Sequence, residues 1–71
     1  MEELIKQAEE GDAEAQFLLG LAYYDGNGIS KNYSKAYYWF QKAVKQGNND
    51  AQIYLGKLMK IHVWIDMYVI L

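Results

Sequence analysis

The chain contains no cysteine and no proline, and its seven basic residues are all lysines. Without cysteine, neither a disulfide scaffold nor a zinc site with thiolate ligands can form. The missing cysteines are compatible with a reducing compartment, so a cytoplasmic location is the expectation. The net charge is −2, and no basic stripe or run of lysines stands out along the sequence. Nucleic acid is therefore not an expected partner.

Residues typical of catalytic and metal sites are also scarce. His62 is the only histidine, and it lacks a second histidine or cysteine that would complete a metal site. Ser30 and Ser34 have no base that the sequence identifies, and the glutamates near the N-terminus fit a solvated helix face. We therefore expect neither an enzyme nor a cofactor, with a small ligand-binding or hydrolytic protein as the alternative.

Long hydrophobic runs are missing as well. The cleanest apolar run, residues 67–71, is far shorter than the ~20 residues that cross a bilayer. The wider segment 53–71 is interrupted by four polar side chains, namely Lys57, Lys60, His62 and Asp66. No membrane span is expected, and the acidic N-terminal residues do not resemble a secretory signal.

An internal repeat is the clearest positive feature of the sequence. Residues 11–20 read GDAEAQFLLG and residues 47–56 read GNNDAQIYLG, with five of ten positions identical and an offset of 36 residues. This offset is the length of one helix-turn-helix unit of a solenoid. With 71 residues and 52% hydrophobic content, the chain suits a single folded domain of marginal stability.

Capping residues and glycines predict an all-α fold of about four helices. Gly11 and Gly47 suit left-handed helix ends, and Asp12 and Asn32 suit N-caps. The predicted helices cover about 2–10, 12–24 and 33–46, and a fourth begins near Asp50 after a cap at Asn48 or Asn49. The expected organisation is one repeat domain, 1–71: a leading helix (1–10), a first full repeat (12–46), and the start of a second repeat with an apolar tail (48–71).

The second helix is apolar on two sides, which is typical of a helix between two neighbours. One side carries Ala15, Leu18, Leu19, Ala22 and Tyr23, and the other carries Phe17, Leu21 and Tyr24. Gly20 lies between them and predicts that another helix crosses closely there; Gly56 predicts the same one repeat later. On the third helix the predicted buried stripe consists of Ala36, Trp39, Phe40, Ala43 and Val44.

These spaced positions resemble the SEL-one-like repeat, a relative of the tetratricopeptide repeat. The pattern covers roughly residues 4–59 and departs mildly from the family in having Asn32 where aspartate is usual. It reads Ala15-x-x-x-Leu19-Gly20-x-x-Tyr23-x-x-Gly26-x-Gly28-Ile29, then Asn32-x-x-Lys35-Ala36-x-x-Trp39-x-x-Lys42-Ala43-Val44-x-x-Gly47, then Ala51-x-x-x-Leu55-Gly56. The resemblance implies an α-solenoid that acts as an adaptor or scaffold for another protein, and its bacterial members suggest a bacterial origin.

The tetratricopeptide relatives bind peptides or helices in a groove lined by the first helix of each unit. Carried onto the matching positions of this chain, that groove implies eight partner-binding residues. The alternative is that Phe17 and Leu21 merely pack on the next helix. The eight residues are Glu14, Phe17, Leu21, Tyr24, Asp50, Ile53, Lys57 and Lys60.

The segment after Met59 departs from the family pattern. A second two-glycine loop is expected there, but the chain reads KIHVWIDMYVIL over residues 60–71. Its β-branched residues also permit a strand, although no helix breaker separates it from Leu55 and a continued helix is favoured. An atypical cap and a frame-shifted tail of a truncated remnant both fit this reading.

Association through this C-terminal segment is the first prediction. About one and a half repeats are present, and the final helix would add an apolar patch of the kind that monomers seldom expose. The patch consists of Trp64, Ile65, Tyr68, Val69 and Leu71. We expect a homodimer or an obligate complex. Sedimentation at micromolar concentration should show the full chain self-associating and a chain ending at Lys60 monomeric; a compact monomer of the full chain would mean that the segment folds back.

Overall fold

The computed structural model describes the backbone of residues 1–70 and the side chains of residues 1–60. It contains four α-helices: α1 (Glu2–Glu9), α2 (Ala13–Asp25), α3 (Tyr33–Lys45) and α4 (Asn49–Ile70). The predicted all-α fold and number of helices are confirmed. α4 continues to Ile70, so the favoured helical continuation of the C-terminal segment is confirmed over a strand.

Side-chain caps start three of the helices as the sequence predicts. In each case a side-chain oxygen accepts a hydrogen bond from the backbone N–H three residues later, which satisfies one of the free donors of the first turn. The glycines that separate the helices adopt the left-handed conformation, with φ of 102° at Gly11 and 89° at Gly47. The three bonds join Asp12 to Ala15 (2.9 Å), Asn32 to Lys35 (3.0 Å) and Asn48 to Ala51 (2.8 Å).

α2 lies between α1 and α3, and α3 in turn packs against α4. The two apolar sides of α2 therefore enter two different clusters. Toward α1, Ala15 and Leu19 pack with Ala8. Toward α3 and α4, Phe17 packs with Phe40 and its neighbours. One residue departs from the prediction: Leu18, assigned by its helical angle to the buried side, is 41% exposed because neither neighbouring helix covers that edge of α2.

The predicted stripe of α3 forms the centre of the core. Ala36, Phe40 and Ala43 are fully buried, whereas Trp39 and Val44 lie at the edges and are half-buried. Phe40 and Leu19 have the largest fully buried side chains among the described residues. Small alanines on either side of a large ring allow the helices to approach closely, as ridge-and-groove packing requires.

α2 and α3 pack closely at Gly20. A Cβ built on Gly20 would lie 2.7 Å from Cδ1 and 2.8 Å from Cε1 of the Phe40 ring, well inside van der Waals contact. The predicted close crossing at Gly20 is thus confirmed. The matching prediction for Gly56 is wrong for the described residues, where no atom lies within 4 Å of such a Cβ. The reason is that, in the part of the chain that the structure describes, no helix lies over α4 there as α3 lies over α2.

Alanine substitutions at these two glycines should therefore have opposite effects. Gly20→Ala should lower the free energy of unfolding by about 1 kcal/mol or more, because overpacking of ~1–3 kcal/mol outweighs the better helix propensity. Gly56→Ala should raise the free energy of unfolding by about 0.5–1 kcal/mol, because only the propensity term acts. Urea denaturation measures both, and a stabilised Gly20→Ala variant would contradict the close packing of Phe40.

Candidate functional site

Four aromatic side chains fill the junction of α2, α3 and α4. They are Phe17 and Tyr24 from α2, Phe40 from α3 and Tyr54 from α4. The Tyr54 ring lies 5.9 Å from Phe17, 5.4 Å from Tyr24 and 5.6 Å from Phe40, measured between ring centroids. Tilted and offset pairs at these distances are favourable beyond the area they bury. This aromatic junction fixes α4 against the other two helices.

Tyr54 belongs to this junction although the sequence did not predict it. Its equivalent one repeat earlier is Leu18, which is exposed, so the repeat alignment gave no reason to expect an aromatic contact. What pointed to Tyr54 in the sequence was its neighbour, because Ile53 is one of the predicted groove residues and Tyr54 follows it directly. The Lys57 ammonium lies 4.7 Å above the Tyr54 ring, which brings a predicted groove residue onto the aromatic junction.

The eight predicted groove residues divide into a buried, a half-buried and an exposed group. Phe17 is only 9% exposed, so it belongs to the core and presents little surface to a partner. The alternative interpretation, packing on the next helices, describes Phe17 better, since Phe40 and Tyr54 cover it. Leu21 and Tyr24 are half-buried and pack on the same core. The exposed residues are Glu14, Asp50, Ile53, Lys57 and Lys60.

Four of these positions, together with Tyr54, make up an accessible surface that we call the α2–α4 surface. It consists of Leu21, Tyr24, Ile53, Tyr54 and Lys57. Tyr54 links its two halves, because its ring contacts Tyr24 of α2 and carries the Lys57 ammonium of α4. Ile53 is 59% exposed and is the most exposed large hydrophobic side chain among the described residues. The surface therefore offers an aliphatic side chain beside tyrosine edges and a cation.

Comparing equivalent positions shows why Ile53 is exposed. Phe17 and Ile53 occupy the same place in the two repeats, 36 residues apart. Phe17 is buried because Phe40 and Tyr54, from the helices that follow it, lie on top of it. Ile53 stands on α4, and the described residues place no such helix over it. Both repeats thus have an apolar residue at this position. Whether that residue is exposed depends on whether other helices cover it.

A glutamine network ties the start of the repeat to its end. Gln16, buried in α2, donates a hydrogen bond from Nε2 to the carbonyl oxygen of Ala8 at 3.1 Å. Nε2 of Gln46 donates to the carbonyl oxygen of Gly11 at 2.8 Å and to Oε1 of Gln16 at 2.9 Å. The network adds a second hydrogen bond to the Ala8 carbonyl oxygen, which already accepts one from the Gly11 backbone N–H, and gives the Gly11 carbonyl oxygen a partner. In the sequence, the feature that marks this network is the glutamine that recurs at the same position of both repeats, as Gln16 and Gln52.

The remaining candidates for chemistry stay dispersed in the described residues. Within that part of the chain, no three His, Asp or Glu side chains come close enough together to hold a metal ion. Nor does it include a helix that is both long and apolar enough to cross a membrane. The pKa of Lys31 is raised above its ordinary value, first by a hydrogen bond with the Tyr33 side chain and then by the charge of the same phenol. His62 and the apolar tail side chains lie outside the described side chains.

The aromatic junction should contribute measurably to the stability of the fold. Tyr54→Ala should lower the free energy of unfolding by about 2–3 kcal/mol, because it removes a ring that contacts three others. Tyr38→Ala, at an exposed position on α3, should change it by less than about 0.5 kcal/mol. Urea denaturation followed by tryptophan fluorescence compares the two variants. Equal losses would show that Tyr54 does not anchor α4.

Known proteins share this repeat. The Sel1 repeat model matches residues 13–48, just over half of the chain. The chain is 40% identical over 53 residues to the ERAD-associated E3 ubiquitin-protein ligase component HRD3A of Arabidopsis thaliana, a match that covers 73% of this chain and 8% of that protein. It is 42% identical over 43 residues to the secretory immunoglobulin A-binding protein EsiB of Escherichia coli O6:H1, covering 61% of this chain and 9% of EsiB.

A third relative is the DAP3-binding cell death enhancer 1 of Rattus norvegicus, 35% identical over 54 residues, which covers 76% of this chain and 11% of that protein. The chain thus spans about a tenth of the length of the curated relatives it matches. No solved structure matches the chain significantly. The match to the repeat model, the similarity to these relatives and the helix-turn-helix geometry around Gly20 lead to one conclusion: the chain belongs to the Sel1 repeat family.

Proposed function

We propose that this chain holds a peptide or helix of a partner protein against its α2–α4 surface, as an adaptor or scaffold. Sel1 repeat proteins generally mediate protein–protein interactions. The observation that carries the proposal is the exposure of Ile53 at a position where the equivalent Phe17 is buried by other helices. The apolar side chain at this position is buried in the core of the first repeat. In the second repeat the equivalent side chain is accessible, so a partner could cover it.

The side chains of the α2–α4 surface indicate what kind of segment would bind. Ile53 and the edges of Tyr24 and Tyr54 suit one or two apolar anchors, as in helices that dock in grooves. Exposed charges of both signs are also among the predicted groove residues: Lys57 and Lys60 are positive, and Glu14 and Asp50 are negative. An amphipathic segment with an apolar stripe flanked by mixed charges fits this surface better than a uniformly charged one.

The names of the relatives support an interaction role of this general kind. One is named as a component of a ubiquitin ligase, one for binding immunoglobulin A and one for binding DAP3. Each name describes a much longer protein, of which the match covers only 8–11%, so their particular partners are not transferred to this chain. The shared feature is association with other proteins through a chain that contains this repeat.

Catalysis is the competing class, and it has less support. The repeats of this family are generally non-catalytic interaction modules. In residues 1–60, the acidic side chains that a hydrolytic site would need do not gather into a metal-binding group. The two side chains of the glutamine network, Gln16 and Gln46, are amides that bond to backbone carbonyls and cannot act as acid and base.

A substitution at Ile53 tests the proposed surface. Ile53→Asp should reduce capture of a partner protein from cell extract by at least about tenfold, because it places a charge where an apolar anchor would dock. Its matched control is Leu18→Asp, which puts the same charge at another exposed aliphatic position outside the surface. Circular dichroism checks that both variants remain folded. Phe17→Asp is unsuitable, because a carboxylate in the core would unfold the chain.

Quantitative mass spectrometry of the captured proteins reads the result. Partners retained by Leu18→Asp and lost by Ile53→Asp support the α2–α4 surface. Equal retention by both variants would contradict it and would move the binding site elsewhere on the chain. Turnover of a substrate by the purified chain would contradict the interaction role itself.

A further inference from the structure

Charge is strongly segregated along this chain although the net charge is small. Between Asp25 and Asp50 there is no acidic residue, and the same interval contains four lysines: Lys31, Lys35, Lys42 and Lys45. Residues 1–25, by contrast, hold seven acidic residues and a single lysine. α3 therefore has no carboxylate of its own with which its lysines could pair at helical spacing.

The fold turns three of these lysines into a stripe. Lys35, Tyr38, Lys42 and Lys45 follow one another at intervals of three, four and three residues, which places them along one side of α3. All four are exposed, on the side away from the buried Ala36, Phe40 and Ala43. The stripe extends over about 15 Å, the rise of ten helical residues. The linear sequence showed no basic stripe because up to six residues separate these lysines.

Aromatic rings hold two of the ammonium groups in place. Nζ of Lys35 lies 5.5 Å from the centroid of the Tyr23 ring, and Nζ of Lys42 lies 5.2 Å from the centroid of the Tyr38 ring. A cation over a ring has fewer accessible rotamers than a free lysine, so less conformational entropy is lost when an anion binds. The lysine stripe is thus partly pre-organised.

A shallow hollow of about 450 Å³ adjoins the C-terminal half of the stripe. Lys42 and Lys45 line it together with Tyr38. Nε2 of Gln16 and of Gln46 already donate within the glutamine network, so the exposed Gln41 supplies the amide donor of the hollow. Carboxylates accept hydrogen bonds from ammonium, amide and phenol groups, so the hollow matches the chemistry of an acidic side chain. The remaining lining residues are Gln16, Gln41 and Gln46.

We propose that the lysine stripe, Lys35, Tyr38, Lys42 and Lys45, is a second binding surface that takes a short acidic segment of a partner protein. We infer an acidic partner from charge complementarity. Three cations along about 15 Å match two or three carboxylates on a helix or on a short extended peptide. A nucleic acid carries a charge about every 1.7 Å over a much longer path, and the acidic residues of 1–25 would repel it. This surface lies on α3 and does not depend on the α2–α4 surface.

Fluorescence anisotropy with the full chain tests the proposal. The probe is a fluorescein-labelled peptide of alternating glutamate and alanine, about ten residues long, which when extended is about twice the length of the stripe and covers it in more than one register. The same peptide with glutamine in place of glutamate controls for charge, and a short single-stranded oligonucleotide tests the nucleic-acid alternative. Titrations at about 50 and 150 mM salt measure the electrostatic share of the affinity.

The double variant Lys42→Gln, Lys45→Gln should bind the glutamate peptide about tenfold more weakly, since it removes two of the three cations. Its matched control, Lys6→Gln, Lys31→Gln, makes the same change in net charge at exposed lysines outside the stripe. The control should bind within about twofold of the unmodified chain.

Several results would overturn the proposal. Equal losses in the two double variants would reduce the effect to net charge. Equal binding of the glutamine peptide would show that the carboxylates are not recognised. No binding of the glutamate peptide at millimolar concentration would show that the stripe is not a binding surface for acidic segments. Tighter binding of the oligonucleotide would assign the stripe to nucleic acid instead.

Discussion

The Phe40 ring lies against α2 where Gly20 provides no side chain, and the placement of α3 and α4 depends on this contact. A Cβ at Gly20 would come within 2.7 Å of the ring, so glycine is the residue that allows α2 and α3 to approach this closely. With Phe40 held there, its ring is available to Phe17, Tyr24 and Tyr54, and the last of these positions α4. In a chain of this size, where little surface can be buried, one well-packed ring affects every later element.

The repeat turns a packing position into a binding position. Where helices follow, as they follow α2, the residue at the Phe17 position is covered and contributes to stability. Where the described chain provides no such cover, as on α4, the residue at that position is Ile53, and it remains accessible. The same physical property, apolar area with tyrosines beside it, thus supports the core in one repeat and is available to a partner in the next.

The two surfaces proposed for this chain differ in chemistry because α3 contributes to them in different ways. Its inner side supplies Phe40, which supports the aromatic residues of the α2–α4 surface. Its outer side carries lysines with no acidic residue on the same helix. A partner with an apolar stripe and a partner with an acidic segment would therefore bind to different sides of the molecule, and both could be held at once. That arrangement suits an adaptor.

The sequence by itself determined the helices, their caps and their family, because these depend on local spacing. Asp12, Asn32 and Asn48 cap helices through contacts three residues away, and the 36-residue repeat is visible in the letters. Tertiary structure alone decided which side chains are covered. Phe17 and Ile53 are equivalent in the sequence, yet one is buried and the other exposed, since burial depends on which helix lies above. The ring contacts of Tyr54 and the bond from Gln46 to Gly11 likewise arise only when residues distant in the chain are brought together.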